Sequence, residues 1–379
     1  MNQEIKYIGF YDFSESKNRR VSSSAATNKM NYICDAINRA GFSIHLISPS
    51  WFEDSVSNMR YESQTTIQLD RQKKITFCPN IGTTYKWTRN IKIVLSLMWL
   101  FFWLIRHTKK NEKVLVYHSP WLSIPIQWAK SIKRFKLILE VEEVYGDVSS
   151  INSYFDVLES KLLNSADSFL FSTDLLANKV GGNKPFLVIY GIYQSFEKLA
   201  SPPDDGKIHL LYAGIIDTHK AGAFNAIECA RFLTENYILH IIGFGDTGIL
   251  IQRIEDINKA SKCKVVFDGA KNGIEYIKYC QRCHIGLSTQ KMDGKYLETS
   301  FPSKVLSYLS LGLNVVSCYV DCVAKSQIHP LITYYYKDSP EYIAKAILDV
   351  DLNSIDNCKE TIKKLDKRFV SVLKTLIQN

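Results

Sequence analysis

The sequence predicts an α/β protein built from two doubly wound domains. Strand-like and helix-like segments alternate almost throughout the 379 residues, which is typical of parallel sheets joined by crossover helices. That length is enough for two domains. A polar segment at 200–206, with two prolines, two aspartates and a glycine, interrupts the alternation near the middle. We therefore expect two Rossmann-like domains facing each other across a cleft, with the ligand site at the carboxyl ends of both sheets.

The elements of the first half follow in chain order. Strands are predicted at 5–11, 43–48, 114–118, 136–141, 168–172 and 186–190. Helices are predicted at 26–40, 89–107, 124–133, 155–165 and 174–180. Gly41 follows the first helix, at the place where helices commonly end in glycine.

The second half repeats the same rhythm. Strands are predicted at 209–213, 237–243, 263–267, 285–288, 314–317 and 331–336. Helices are predicted at 221–234, 247–261, 273–280, 302–311 and 340–349, with one more helix in the tail. The predicted organisation is a first domain at 1–199, a linker at 200–206, a second domain at 207–354 and a terminal helix at 355–379.

Composition and charge narrow the class of protein. Hydrophobic residues make up 46% of the chain and charged residues 22%, which excludes a disordered protein. The net charge of +9 falls short of a dedicated nucleic-acid binder, so we expect no nucleic-acid partner. Residues 1–200 hold seven of these net charges and all six tryptophans. Basic residues and tryptophan together favour a membrane–water interface, although large aromatic side chains equally fill a core.

An uncharged apolar run at 93–105 lies inside the helix predicted over 89–107. The run is shorter than the roughly 20 residues that a spanning helix needs. Basic residues flank it on both sides, which favours contact of 89–110 with an anionic membrane surface. The alternative is a crossover helix buried on all sides.

Cysteine usage points to a reducing compartment. The nine cysteines are an odd number, and the segment 1–13 resembles a strand and a polar loop rather than a signal peptide. A cytoplasmic protein is therefore expected, peripheral to the membrane if 89–110 contacts it. The pairs Cys280/Cys283 and Cys318/Cys322 have spacings that also occur in zinc sites, but small buried residues are the favoured interpretation.

A glycine motif, Gly243-Phe-Gly245-Asp-Thr-Gly248, follows a predicted strand and opens a helix. With Asp268 twenty residues on, it matches the dinucleotide fingerprint, and it leaves an NAD-dependent oxidoreductase or epimerase as an alternative function. The motif follows the second strand of its domain, however, whereas the fingerprint normally follows the first. Its backbone amides could still face a phosphate or a ribose.

The most specific stretch is 301–316, which begins Phe-Pro-Ser-Lys. Pro302 suits the first turn of a helix, and the free amides of Ser303 and Lys304 would then point towards a ligand. The helix dipole and the Lys304 ammonium both favour an anion such as a diphosphate.

This stretch resembles the donor-site helix of GT-B glycosyltransferases, especially glycosyltransferase family 4 and its relatives in bacterial surface-polysaccharide synthesis. Most of the second half shares the resemblance. The matching segments are 211–214 followed by Lys220, 240–245, 265–269 with 276–280, and 285–288. In the first half, 165–170 and 188–193 resemble the last two strands before the hinge. The resemblance implies a first domain that binds the acceptor, a second that binds a nucleotide-sugar, and a terminal helix that returns to the first domain.

The resemblance also implies site residues. Lys220 and Lys304 would hold the diphosphate. The two glutamates of family 4 correspond here to Thr299, with Glu298 beside it, and to Ser307. The donor-binding residues expected from the motifs and the resemblance together are Gly214, Lys220, Gly243, Gly245, Asp268, Glu298, Pro302, Ser303, Lys304 and Ser307.

Three residues of the first half are catalytic candidates. His118 ends a predicted strand where family relatives often carry a histidine, and it would contact the transferred sugar; a structural histidine is the alternative. Glu142 or Glu143 would supply the base of an inverting reaction, unless both simply face solvent.

The resulting hypothesis is a glycosyltransferase that moves a sugar from UDP or GDP to a hydroxyl of a glycan acceptor. A lipid-linked acceptor in bacterial surface-polysaccharide synthesis is expected. No cofactor and no metal are expected, because lysines and helix amides can offset the diphosphate charge. An inactive relative that acts as a scaffold subunit is the other alternative, since the family's glutamates are replaced.

Overall fold

The chain forms two compact units in a computed structural model. The structure describes residues 3–13, 16, 19–53, 60–82, 88–145, 153–219, 221–292, 301–352 and 356–378. The first unit comprises Met1–Ile189 together with Arg368–Asn379, and the second comprises Tyr190–Lys367. The predicted α/β class with two doubly wound domains is confirmed.

The first unit contains ten strands and four of the longer helices within the described residues. Its strands are β1 (Glu4–Ile8), β2 (Ser43–Ser48), β3 (Arg60–Glu62), β4 (Thr65–Gln68), β5 (Lys73–Phe77), β6 (Asn80–Gly82), β7 (Lys113–Tyr117), β8 (Lys136–Val141), β9 (Ser168–Phe171) and β10 (Phe186–Val188). Its helices are α1 (Ser24–Arg39), α2 (Thr88–His107), α3 (Ser123–Lys133) and α4 (Ser153–Ser165), with short helical turns at Pro120–Leu122, Asp174–Leu176 and Ala177–Gly181.

The main sheet of this unit has the order β10-β9-β8-β7-β1-β2-β5-β4. All of its neighbours pair in parallel except the edge strand β4, which runs antiparallel to β5. Strand order reverses between β1 and β7, so the carboxyl ends of these two strands mark the switch point where such sheets bind ligands. Strands covered on both faces form continuous apolar runs, as Leu137, Ile138 and Leu139 do in β8.

The second unit is built on a sheet with six parallel strands. They are β11 (Ile208–Ile216), β12 (Tyr237–Gly245), β13 (Lys264–Phe267), β14 (Ile285–Ser288), β15 (Asn314–Cys318) and β16 (Ile332–Tyr335). Its helices are α5 (Gly222–Cys229), α6 (Thr247–Ala260), α7 (Gly273–Cys280), α8 (Ser303–Leu311) and α9 (Pro340–Leu348), with short turns at Ala230–Phe232, Asp321–Ala324 and His329–Leu331. The order β13-β12-β11-β14-β15-β16 places the switch point between β11 and β14.

The last helix, α10 (Asp356–Gln378), begins in the second unit and ends in the first. Phe369 stacks on Tyr32 of α1 at 5.8 Å between ring centroids, and Leu373 and Ile377 are buried. These three apolar side chains recur at helical spacing, so one face of the helix end completes the core of the first unit.

Several elements depart from their predicted bounds. The strand predicted at 5–11 ends at Ile8, and the helix predicted at 174–180 is only two short turns. The sequence predicted no strand in the region 60–82, where β3 to β6 lie. Pro302 caps α8 instead of lying in its first turn. All nine cysteines are buried free thiols, as the favoured interpretation predicts.

The apolar run 93–105 lies within α2, which is longer than the run itself. By length and composition alone, the 20 residues of α2 suffice to cross a membrane. One face of α2 is nevertheless packed into the protein, because Leu100, Trp103 and Leu104 belong to the core of the first unit. The alternative of a helix buried on all sides is wrong, since Val94, Leu95 and Phe102 are exposed.

Candidate functional site

The switch point of the second unit gathers three structural features. Gly214 lies near the carboxyl end of β11, Ser288 ends β14, and α8 begins at Ser303. Lys304, in the first turn of α8, lies against the backbone of Gly214. This is the place where parallel sheets of this topology bind their ligands.

Lys304 reaches the end of β11 because Gly214 has no side chain. A Cβ added to Gly214 would lie 2.5 Å from Cε of Lys304, and the φ of +153° also requires glycine. The Lys304 ammonium lies 5.2 Å from the ring centroid of Tyr212, within the range of a cation–π contact. The lysine is therefore held at the carboxyl edge of the sheet by the residues beneath it.

Tyr308 holds α8 against the sheet. Its buried hydroxyl accepts a hydrogen bond of 2.9 Å from the amide of Ala213, and its ring fills the space left by Gly286. Removing either contact would move the start of α8 relative to β11. Tyr308 is thus a positioning residue for Lys304, one that the sequence reasoning missed.

The start of α8 presents a polar face. Ser303 and Ser307 are exposed, and the Ser307 hydroxyl donates a 3.0 Å hydrogen bond to the carbonyl of Ser303. The first-turn amides of an α-helix have no partner within the helix, and the helix dipole makes this end attractive to anions. Lys304, these amides and the serine hydroxyls together form a surface suited to phosphate.

Two further residues at this edge were not predicted. Thr289, directly after β14, is buried and donates a 2.7 Å hydrogen bond to the carbonyl of Gly222 at the start of α5. Ala221 adopts a left-handed conformation with φ of +53° as the N-cap of α5. A non-glycine residue held there stores about 1–2 kcal/mol of strain, and such strain is typical of functional loops. Thr289 could have been suspected because it follows a switch-point strand.

The glycine motif forms the end of a strand. Gly243 pairs with Gly214 and Gly245 with Ile216, so β11 and β12 stay paired to their ends. A Cβ at Gly243 would overlap the carbonyl oxygen of Gly214, and its φ is +152°. The Gly243 amide donates to the carbonyl of Gly269 at 3.1 Å. Close strand approach therefore accounts for these glycines, whereas a dinucleotide loop would direct such amides at a pyrophosphate.

Asp268 follows β13, two strands from β11 at the same edge of the sheet. Tyr279 donates a hydrogen bond to its Oδ2, which lies 3.2 Å from Nδ1 of His240. Burial lowers the pKa of His240, which favours the neutral ring. The carboxylate of Asp268 is thus engaged within the unit, and its predicted contact with a donor stays a prediction.

Some predicted donor residues lie outside the described residues. These are Lys220 and Glu298. The structure places Gly214, Ser303, Lys304 and Ser307 together, with Gly243 and Gly245 on the neighbouring strand.

In the first unit, His118 lies at the switch point, directly after β7. The side chain is 1% exposed, and its Nε2 lies 3.3 Å from Oε1 of Glu159 on α4. The amide of Tyr145 donates to the same carboxylate oxygen at 2.9 Å. Burial lowers the pKa of His118 to about 4, so the ring is neutral near pH 7.

Glu142 lies beyond the end of the neighbouring strand β8. It forms an ion pair with Lys29 of α1, whose ammonium also donates to the carbonyl of Ile189 at 3.3 Å. This ion pair explains how a charged side chain can be buried at Lys29, which is only 6% exposed. Glu143 is half-buried beside it. Glu142 therefore does not simply face solvent, but it is a carboxylate with a fixed cationic partner.

Glu140 is fully buried in β8 beneath this pair. Its Oε2 accepts a hydrogen bond from Tyr7, and its Oε1 has no hydrogen-bond partner among the described residues. Burial, followed by the nearby charge of Glu142, raises the pKa of Glu140 to about 8. The sequence reasoning missed Glu140, Lys29 and Glu159. Lys29 and Glu159 could have been found as charged residues on the apolar faces of their helices.

The raised pKa of Glu140 predicts a pH-dependent stability. Unfolded Glu140 ionises near pH 4.5, whereas the folded carboxyl keeps its proton to about pH 8. The contribution of Glu140 to the free energy of unfolding is therefore complete below pH 4.5. It is lost as the pH rises to 8, by at most about 1.4 kcal/mol per pH unit. In urea unfolding, Glu140→Gln should gain at least about 1 kcal/mol relative to wild type between about pH 5.5 and 8. If the free energies of unfolding of the variant and the wild type changed with pH in parallel, this prediction would be wrong. Glu255 is exposed, and Glu255→Gln is the matched control.

The cysteine pairs do not belong to an evident metal centre. Among the residues that the structure describes, no three or more His, Cys, Asp or Glu side chains are arranged to hold a metal ion.

Comparison with known proteins identifies the fold. No protein-family profile matches the sequence, and no curated protein is similar to it in sequence. Solved structures do match over the full length. A sucrose-phosphate synthase from Thermosynechococcus elongatus is 12% identical with a TM-score of 0.69, and the match covers 100% of this chain and 98% of that one.

Two further structures agree. A glycosyltransferase from Rickettsia africae is 12% identical with a TM-score of 0.64, covering 100% of this chain and 99% of that one. A UDP-forming trehalose-phosphate synthase from Burkholderia xenovorans, in complex with glucose-6-phosphate, is 11% identical with a TM-score of 0.58, covering 100% and 99%. The chain thus has the GT-B glycosyltransferase fold, as the resemblance predicts, and the narrower likeness to family 4 stays a prediction.

Proposed function

We propose that this chain is a glycosyltransferase that moves a sugar from a nucleotide-diphosphate sugar to a hydroxyl of a glycan acceptor. The observation that carries the proposal is Lys304, held over Gly214 at the switch point beside the first-turn amides of α8. A lysine and a helix N-terminus that converge there suit a diphosphate leaving group. The UDP-forming enzyme among the matching structures supports UDP as the first nucleotide to test, with GDP as the second.

In this proposal the second domain, 207–354, binds the donor. Lys304 and Lys220 offset the charge that develops on the departing diphosphate, so neither a metal nor a cofactor is required. Ser307, where family 4 carries a glutamate, offers a hydroxyl to the ribose. Glu298 and Asp268 would line the sugar and the base.

The first domain, 1–199, would bind the acceptor at its own switch point. Buried, neutral His118 would donate a hydrogen bond to the transferred sugar. If the reaction inverts the anomeric centre, Glu142 or Glu143 would take the proton of the acceptor hydroxyl, with Lys29 holding Glu142 in place.

The turnover of Glu142→Gln tests this role. A loss of about 10²-fold or more in kcat with unchanged donor binding is expected.

The setting of the reaction is also proposed. The basic, tryptophan-rich first half supports a lipid-linked acceptor, such as those used in bacterial surface-polysaccharide synthesis. The protein would then act in the cytoplasm, peripheral to the membrane and in contact with it through 89–110.

Thermal unfolding with a ligand panel tests the donor site. A ligand that binds only the folded state stabilises it by about 2.7 kcal/mol at one hundred times its Kd. This stabilisation raises the melting temperature. UDP, GDP and their sugars should raise it, and NAD and NADP should not. A shift with NAD alone would overturn the proposal in favour of an oxidoreductase. Nucleotide binding without turnover would support the inactive scaffold, which the replaced glutamates favour.

A further inference from the structure

The net charge of the chain is concentrated in one segment. Residues 88–136 contain ten lysines and arginines and one glutamate, so they carry all nine of the net positive charges. The rest of the chain holds equal numbers of basic and acidic side chains and is neutral. This segment consists of α2, β7, α3 and their connections. Any strongly anionic partner of the protein would be attracted to it.

The same segment exposes a continuous apolar stripe. Its members recur at helical spacing along the outer face of α2, where each is about half exposed or more: Ile91, Val94, Leu95, Met98 and Phe102. The stripe continues on the adjacent helix α3 with Trp128 and Ile132, which are 62% and 61% exposed. Phe101 contacts Trp128 edge to face, at 6.3 Å between ring centroids, and thus joins the two helices.

A cationic groove of about 640 Å³ adjoins this stripe. Its lining residues include Lys110, Lys130, Arg134, Lys136, Trp128 and Asp167. Asp167 pairs with Lys130 at 2.7 Å and with Lys136 at 3.4 Å. Four cations against one carboxylate leave the groove positive, and Trp128 belongs both to the groove and to the exposed stripe.

We propose that the outer face of α2 and α3 is a docking surface for an anionic phospholipid bilayer. The stripe enters the headgroup region, and the groove receives lipid phosphates. Apolar and aromatic side chains beside lysine and arginine match a membrane interface, where rings lie at headgroup level and cations meet phosphate. Nucleic acid would match the charge but not the stripe. The surface specifies the membrane contact proposed above for 89–110 and does not depend on the reaction.

α2 lies along this bilayer and does not cross it. Its inner face is fixed in the protein, since Leu100, Trp103 and Leu104 belong to the core. The ammonium of Lys92 donates to the carbonyl of Phe52 at 3.2 Å, beyond the carboxyl end of β2. The start of α2 is therefore near the carboxyl edge of the first sheet, the edge that carries His118. A bilayer seated on the stripe would place lipid-borne acceptors close to that edge.

Vesicle sedimentation with the full chain tests the surface. Wild type should bind vesicles of equimolar phosphatidylglycerol and phosphatidylcholine about 10-fold or more tightly than vesicles of phosphatidylcholine alone. Raising the salt to about 0.5 M NaCl should weaken the binding. Phe102→Ser and Lys110→Glu should each weaken binding about 10-fold or more. Ile274→Ser and Lys262→Glu, exposed in the second unit, are the matched controls and should bind as wild type.

Three results would overturn the inference: no binding to either vesicle, equal binding by all variants, or a dimer that Phe102→Ser dissociates without any vesicle binding. The nucleotide-induced rise in melting temperature is measured on the same variants. If that rise persists while vesicle binding is absent in wild type, the docking surface is wrong and the donor site stands. If vesicles bind without any nucleotide response, the proposed reaction fails and the docking surface stands.

Discussion

Gly243→Ala is expected to destabilise the second unit severely. The new Cβ would overlap the carbonyl oxygen of Gly214 on the neighbouring strand, at a φ of +152° that only glycine adopts readily. Relief would require β11 and β12 to separate, which breaks their pairing at the carboxyl edge. We expect a loss of about 4 kcal/mol or more, at the extreme of single substitutions. Urea unfolding followed by circular dichroism measures it.

Gly248→Ala is the matched control within the same motif. A Cβ there meets nothing within 4 Å, and the position lies in the first turn of α6. Alanine is the better helix former, so the free energy of unfolding should change by less than about 1 kcal/mol, in the stabilising direction. A dinucleotide fingerprint would predict the opposite, because its third glycine is needed for close helix–strand packing. A folded Gly243→Ala with an unfolded Gly248→Ala would contradict our explanation.

Lys304→Ala is expected to weaken binding of the nucleotide-sugar by about 10-fold to 150-fold. This range corresponds to one charge-assisted hydrogen bond to the diphosphate, which is worth about 1.5–3 kcal/mol. Lys304→Met should lose the same affinity, although its side chain can still pack on Gly214 and the Tyr212 ring. Calorimetric titration with UDP-sugars measures both variants.

The controls separate charge from packing at this site. Lys325→Ala removes an exposed lysine of the same unit, paired with Asp321 at 2.6 Å, and should bind the donor as wild type. If Lys304→Met bound the donor as tightly as wild type, the ammonium would not contact the diphosphate. The role of Lys304 would then be to pack the start of α8 against Gly214 and Tyr212 of β11, and the proposed donor site would have to move.

The regular alternation of strands and helices made the fold predictable from the sequence. The strands that form only by pairing with a neighbouring strand were not predictable in this way. Leu210 and Leu211 of β11 are fully buried, so the strand appears in the sequence as an apolar run. The residues of β4 are exposed along their whole length, and they form a strand only because β5 offers an edge. Propensity for a sheet depends on such neighbours, which explains why the strands at 60–82 were missed.

The candidate site was predictable where one segment carries it. Lys304, Pro302 and Ser303 lie together in the chain, and a helix start after a loop is visible in the sequence. Thr289 and Gly222 are far apart in the chain, and their hydrogen bond exists only once β14 and α5 are side by side. Similarly, the reason for Gly243 is visible only in the register of β11 and β12. The part of the site that depends on contacts between distant segments is thus the part that sequence patterns do not predict.

The division of α10 between the two units has a consequence for synthesis on the ribosome. Phe369, Leu373 and Ile377 fill the core of the first unit, yet they follow the whole of the second unit in the chain. Domains generally fold in the order in which they emerge, the amino-terminal one first. Here the first unit cannot complete its core until the residues after Lys367 have been made, and by then every residue of the second unit has been made. A nascent chain stalled before Arg368 would therefore expose the apolar surface around Tyr32 to chaperones.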